Sequence, residues 1–185
     1  MPAKDFDPLH LDVAAFARAD ARLEGAWPLA GMERMAREAH EEAPVAETAV
    51  TWSAEGELRP RPGDEPQVWL HLRAHTSISL ECQRCLRPVA VALDVDRQFR
   101  FERDETRAAE ADLDSEEDVL ALTRSLDLHA LVEDELLLAL PIVPRHADCA
   151  MPLGGAVRDA DFDQHEEPRP NPFAALAALK KTPKT

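Results

Sequence analysis

The sequence predicts an α+β fold: a four- or five-stranded, mainly antiparallel sheet covered by a long helix, with an extended C-terminal tail. Three observations lead there. Residues 68–80 and 89–101 alternate apolar and polar side chains, the pattern of long antiparallel strands with one wet face. Residues 128–140 carry the most apolar helical stripe of the chain and meet Pro141, which cannot continue a helix ladder. From residue 151 onward the composition turns rich in Gly, Pro and Asp, as in a linker. The 185 residues therefore divide into a domain over 1–150 and a flexible tail over 151–185.

Taken in order, residues 1–11 are an irregular lead-in, and Asp12 caps a short helix over 13–19 whose main apolar contact is Phe16. Residues 21–29 alternate with Leu23, Trp27 and Leu29 on one side, and Gly25 on that side marks a bulge. A helix follows over 32–40, with Met32, Met35 and Ala36 inward, and Pro44 ends it. Residues 46–54 form another strand with Thr48, Val50 and Trp52 on one face, and 59–66 are a turn-rich loop. In the next strand Val68, Leu70, Leu72, Ala74, Ile78 and Leu80 face the core. In its partner Val89, Val91, Leu93, Val95, Phe99 and Phe101 do the same.

Residues 102–118 are dense in carboxylates and read as a solvated acidic loop, or as a docking patch for a basic partner. Calcium is discounted there because the ordered ligand pattern with its glycine is missing. A short strand is expected over 119–122, then the long helix, capped by Asp127. Its last turns, through Leu137, Leu138 and Leu140, are expected to be apolar nearly all round and well buried. Glu133, Asp134 and Glu135 are read as helix surface or as salt-bridge partners of sheet arginines. Near the C-terminus Asn171 and Pro172 open a short amphipathic helix with Phe173, Leu176 and Leu179 on one face. A helix this short needs a groove, on a partner or on its own sheet, to stay ordered.

The formal net charge of −15 disfavours naked nucleic acid unless basic residues gather locally, and it suits a basic partner, although solubility alone explains it as well. Three cysteines, without a leader of secretory type, point to a reduced, cytoplasmic protein with no disulfide framework. No run approaches the ~20 apolar residues of a membrane span. Cys82 and Cys85 stand two residues apart where one long strand hands over to the next, and His146 and Cys149 repeat that spacing after the helix. Together they make a Cys₃His set suited to one tetrahedral Zn²⁺. The alternative is three cysteines behaving as small hydrophobes. A thioredoxin-like role is disfavoured, because that motif opens a helix and here Pro88 and a strand follow.

No phosphate-binding glycine loop, nucleophile elbow or metalloprotease motif occurs, so neither a catalytic residue nor a small-molecule substrate is expected. Trp69, Arg73 and Arg100 share the wet sheet face with His71, where bases can stack and phosphates pair, although an ordinary solvated face explains them as well. Arg84 and Arg87 flank the first cysteine pair and are further candidates for contact with RNA or a protein partner.

The segment LECQRCLRP with its following strand, then LVEDELLLALPIVPRH, then NPFAALAALK, resembles the YceD family, the bacterial large ribosomal RNA subunit accumulation proteins. The resemblance runs from about residue 23 to 180 and is most specific in the helix. It implies a non-enzymatic role in ribosome biogenesis, supporting accumulation of large-subunit (23S) ribosomal RNA. The family implies no catalytic residues, and some members carry a second CxxC where this chain has His146 and Cys149. The expected partners are that RNA, a basic large-subunit ribosomal protein, or both, the protein contacted first and any RNA contact confined to a local Arg, Trp and His surface. The alternatives are an interaction adaptor unrelated to RNA, whose C-terminal helix docks elsewhere, and an RNA-processing enzyme.

Overall fold

The computed structural model describes residues 6–149 except 44 and 46. The expectations placed on Pro44, on Ala46 and on the C-terminal tail, including Phe173, Leu176 and Leu179, lie outside the described residues. The order of elements is α1 (Val13–Arg18), β1 (Arg22–Pro28), a 3-10 turn (Leu29–Gly31), α2 (Glu33–Glu38), β2 (Ala49–Arg59), β3 (Gln67–Glu81), β4 (Pro88–Glu102), α3 (Glu105–Asp112), β5 (Asp118–Ala121) and α4 (Leu128–Leu138).

The strands form one five-stranded sheet in sequence order, β1-β2-β3-β4-β5. Its first three pairings are antiparallel and β5 joins β4 in parallel. A parallel neighbour needs a crossover connection, and α3 supplies it. In the central hairpin Val68 stands opposite Phe101 and Leu80 opposite Val89, so even positions of β3 share a face with odd positions of β4. Both apolar sets turn to one side, and α1 packs there on β2 and β3 while α4 packs on β3 and β4. The helical cover is thus shared: Val13 and Phe16 come from α1, and Leu128, Val132 and Leu136 from α4.

Several elements depart from expectation for physical reasons. Strand β1 carries no bulge: Gly25 pairs in unbroken register with Trp52. A Cβ at Gly25 would lie 3.0 Å from the Trp52 ring, so the glycine makes room for that ring, which stacks on Trp27 at 4.3 Å. Strand β2 runs on to Arg59 because its alternation continues through Ala54 and Gly56. The acidic stretch is helical in part, since Asp104 caps α3 by accepting the Arg107 N–H at 3.0 Å and Ala108 seats it on the sheet. Helix α4 ends at Leu138, with Ala139 as its C-cap, and Leu138 is 74% exposed rather than buried.

The charged interruption of α4 is buried. Glu133 is 7% exposed, and one of its carboxylate oxygens accepts the N–H groups of Arg34 (2.7 Å) and Met35 (3.1 Å). The other accepts the Arg34 guanidinium at 3.0 and 2.8 Å. Met32, at the N-cap of α2, offers no capping side chain, so Glu133 satisfies that helix end from a distant part of the chain. Glu135 pairs with Arg97 of β4 at 3.3 Å, so here the partner is a sheet arginine.

Candidate metal centre

The turn between β3 and β4 folds as a tight knuckle. Cys82 N–H donates to the Arg87 carbonyl at 3.0 Å, and Leu86 N–H donates to the Cys82 carbonyl at 2.8 Å. Leu86 takes the left-handed conformation (φ 60°) that such a turn requires. The chain leaving α4 is pinned alongside, because Gln83 N–H donates to the Pro144 carbonyl at 2.9 Å. Pro141 and Pro144 keep the intervening residues, which form a bend, from continuing the helix.

This brings the four expected ligands together. The ligand atoms of Cys82, Cys85, His146 and Cys149 all lie within 4.8 Å of one another. Tetrahedral zinc, with bonds of about 2.3 Å to sulfur and about 2.0 Å to nitrogen, needs ligand atoms roughly 3.5–3.8 Å apart. Cys85 Sγ and His146 Nδ1 are already 3.5 Å apart. The far ring nitrogen of His146 lies 3.1 Å from the Pro88 carbonyl. A hydrogen bond donated there leaves Nδ1 as the lone-pair nitrogen facing the sulfurs. The donor set and its second layer of contacts both fit a structural metal ion.

The electrostatics agree. Burial alone would raise the Cys82 thiol, but the N–H groups of His146, Arg84 and Cys85 and the His146 side chain hold it down to about 6. The Cys149 thiol moves the other way, to about 11, through its hydrogen bond with Cys85, its burial and its proximity to Cys82. Crowded sulfurs share negative charge poorly without a cation between them. No helix opens at the CxxC, which sits in a strand-to-strand turn.

The other candidates are placed differently. Trp69 is only 9% exposed, and the Arg59 guanidinium covers its ring at 3.9 Å from the centroid. Arg100 is equally buried, held by Glu102 at 3.2 Å and Glu117 at 3.0 Å. Arg73 bridges Glu55 and Asp96, and Asp96 also takes a hydrogen bond with His71. The cations of the wet sheet face are therefore engaged within the fold. Arg84 and Arg87, in contrast, are exposed on the knuckle. Sequence reasoning did not single out two neighbours of this site: Arg145, exposed beside His146, and His40, whose ring lies 3.3 Å from the Leu86 carbonyl. Arg145 was legible by adjacency to a ligand, whereas nothing local signals His40.

A family model described as "Large ribosomal RNA subunit accumulation protein YceD" matches residues 70–180, which include all four residues of the cluster. The protein of that description from Haemophilus influenzae is 31% identical over 119 residues, 59% of this chain. The matched part spans 63% of that relative's length. No solved structure matches.

Proposed function

The chain belongs to the YceD family of large ribosomal RNA subunit accumulation proteins, and from that premise we propose that it is a non-enzymatic factor of large-subunit biogenesis. It supports accumulation and processing of 23S ribosomal RNA in the cytoplasm by making contacts rather than by catalysis. The observation that carries this reading is the family match over residues 70–180. The shifted carboxylates of the described residues support it, since Glu133 and Glu135 are spent on structural ion pairs, Asp96 on His71 and Arg73, and Asp7 on His10 and the Leu9 N–H. No described helix is long and apolar enough to cross a membrane.

The Cys₃His cluster holds a structural Zn²⁺ in this proposal, joining the β3–β4 turn to the segment after α4. When bound, the ion supplies a cross-link and charge neutralisation, and Cys82, Cys85, His146 and Cys149 are its ligands. The first partner is a basic ribosomal protein. On the wet sheet face Glu24, Glu55, Glu57, Glu81, Asp94, Asp96 and Glu102 outnumber Arg22, Arg59, Arg73 and Arg100, which favours a cationic surface there. The test is removal of the gene, with the ratio of large- to small-subunit RNA and the subunit profile as readouts. A specific fall in large-subunit RNA, restored by the intact chain, is expected, and unchanged profiles would overturn the reading. Crosslinking with identification of bound protein and RNA then tests the partner. An adaptor unrelated to RNA would crosslink to no ribosomal component.

A further inference from the structure

Among the described residues, every arginine except Arg18, Arg84, Arg87, Arg124 and Arg145 lies in an ion pair. Three of those five sit on one structure. Arg84 lies between Cys82 and Cys85, Arg87 lines the hollow formed with Cys85, Pro88, His146 and Cys149, and Arg145 adjoins His146. All three are exposed. Glu81 and Asp148 are the carboxylates in the same two stretches, and neither pairs with these arginines.

The apolar exposure falls in the same two stretches. Leu86 is 65% exposed and Ile142 97% exposed, the one in the knuckle and the other just ahead of Pro144, which is bonded to the knuckle. Leu86 is also held at φ 60°, which strains any side chain but glycine. A strained, outward-facing leucine where glycine would sit without strain marks a contact residue better than a structural one.

We propose that this knuckle is the RNA-binding surface of the protein: Arg84, Arg87 and Arg145 take backbone phosphates, and Leu86 and Ile142 take the faces of unpaired bases. The proposal rests on the ribosomal RNA reading above and gives it a location. It answers how so acidic a chain meets RNA, since the wet sheet face presents excess carboxylate while the knuckle presents unpaired guanidinium groups. Three phosphate contacts make a modest and salt-sensitive site, which suits a factor that also holds a protein partner. Charge compensation of the metal cluster is the competing role for these arginines, and zinc content separates the two.

The experiment measures binding of a labelled single-stranded RNA to the full chain by fluorescence anisotropy across a salt series. The logarithm of affinity should fall with the logarithm of salt with a slope of about −2, or roughly 0.7 per phosphate. The triple variant Arg84→Gln, Arg87→Gln, Arg145→Gln should lose most of that slope and bind at least about tenfold more weakly at low salt, with zinc content unchanged. Each single variant should lose about 0.7 of the slope, which covers the case where the triple variant folds poorly. Leu86→Gly should melt at higher temperature yet bind RNA less tightly, opposite signs that a structural role would not produce. Arg59→Gln with Arg73→Gln, on the sheet face, should leave binding unchanged. Full affinity in the triple variant overturns the proposal, as does loss of its zinc with RNA binding intact. No RNA binding by the parent chain, or preferential binding of an acidic peptide at the knuckle, also overturns it. In those cases a large-subunit RNA deficit on gene removal would leave the family-based reading standing.

Discussion

Replacing Glu133 by Ala should destabilise the fold far more than an average helix substitution. The carboxylate accepts the N–H groups of Arg34 and Met35, which begin α2, and nothing else caps that helix. An orphaned buried N–H costs about 1–3 kcal/mol, and loss of a helix cap about 0.5–2 kcal/mol. The Met35 bond is buried and the Arg34 one only partly so, which places the total at about 2–4 kcal/mol. For a domain of this size that corresponds to roughly 5–15 °C in Tm. Glu133→Gln keeps one acceptor oxygen and should cost about half as much. Burial would raise the Glu133 carboxyl, but hydrogen bonds from the Arg34 side chain and from the Met35 and Arg34 N–H groups hold it below its ordinary value. A carboxylate lowered on folding stabilises fully above its unfolded pKa, and that contribution fades as pH falls through the folded value. The deficit of Glu133→Gln should therefore be complete at pH 7 and shrink below about pH 4.5. Urea titrations followed by near-ultraviolet circular dichroism at several pH values measure both quantities. An Ala variant within about 0.5 kcal/mol of the parent, or a Gln deficit that grows on acidification, would refute the capping argument.

Cys85→Ser should abolish stoichiometric zinc in elemental analysis of protein purified without chelator, and chelator should lower the Tm of the parent chain but not of the variant. Gly56→Ala should destabilise by about 1–3 kcal/mol in thermal melts, because the added carbon would meet the Phe16 ring at 2.5 Å and the Ala17 backbone at 2.9 Å. Arg97→Gln strands Glu135, whose carboxyl is raised by burial, with Arg97 opposing and Asp118 and Asp134 adding. A carboxyl raised on folding favours the fold below its unfolded pKa and loses that contribution as pH rises through the folded value, so the Arg97→Gln deficit should be larger at pH 8 than at pH 5.

What the sequence made legible was whatever a short window determines. Alternation placed β3 and β4 and the face each residue takes, because an antiparallel hairpin with one wet side enforces a period of two. That Cys82, Cys85, His146 and Cys149 cluster was legible because zinc chemistry demands pairs of Cys and His at short spacing. Long-range pairing was not. Glu133 and Glu135 look like a polar break in a helix, and their burial is tolerable only because Arg34 and Arg97 arrive from elsewhere. Trp69 occupies a position that alternation assigns to water, and the neighbouring strand's Arg59 covers its ring. Helix α3 escaped notice because its charge density outweighed two quiet signals, the Asp104 cap and the inward Ala108.

Leu138 carries the last step. Hydrophobicity alone assigns the helix turns through Leu140 to the core, yet Leu138 stands out in solvent, as do Ile142 and Val143 beyond Pro141. The core of the sheet is already closed by Leu128, Val132 and Leu136, with α1 covering β2 and β3. Two prolines then keep the next residues from continuing the helix, and the Gln83–Pro144 hydrogen bond ties them to the knuckle. Surplus apolar side chains on a chain of net charge −15 are not needed for folding and invite association. They sit in the chain segment that runs into the candidate ligands and the unpaired Arg145. A metal ion that clasps His146 and Cys149 to Cys82 and Cys85 would fix this segment against the β3–β4 turn. Such an ion would do less to stabilise the sheet than to hold rigid the basic and apolar edge proposed above to meet RNA.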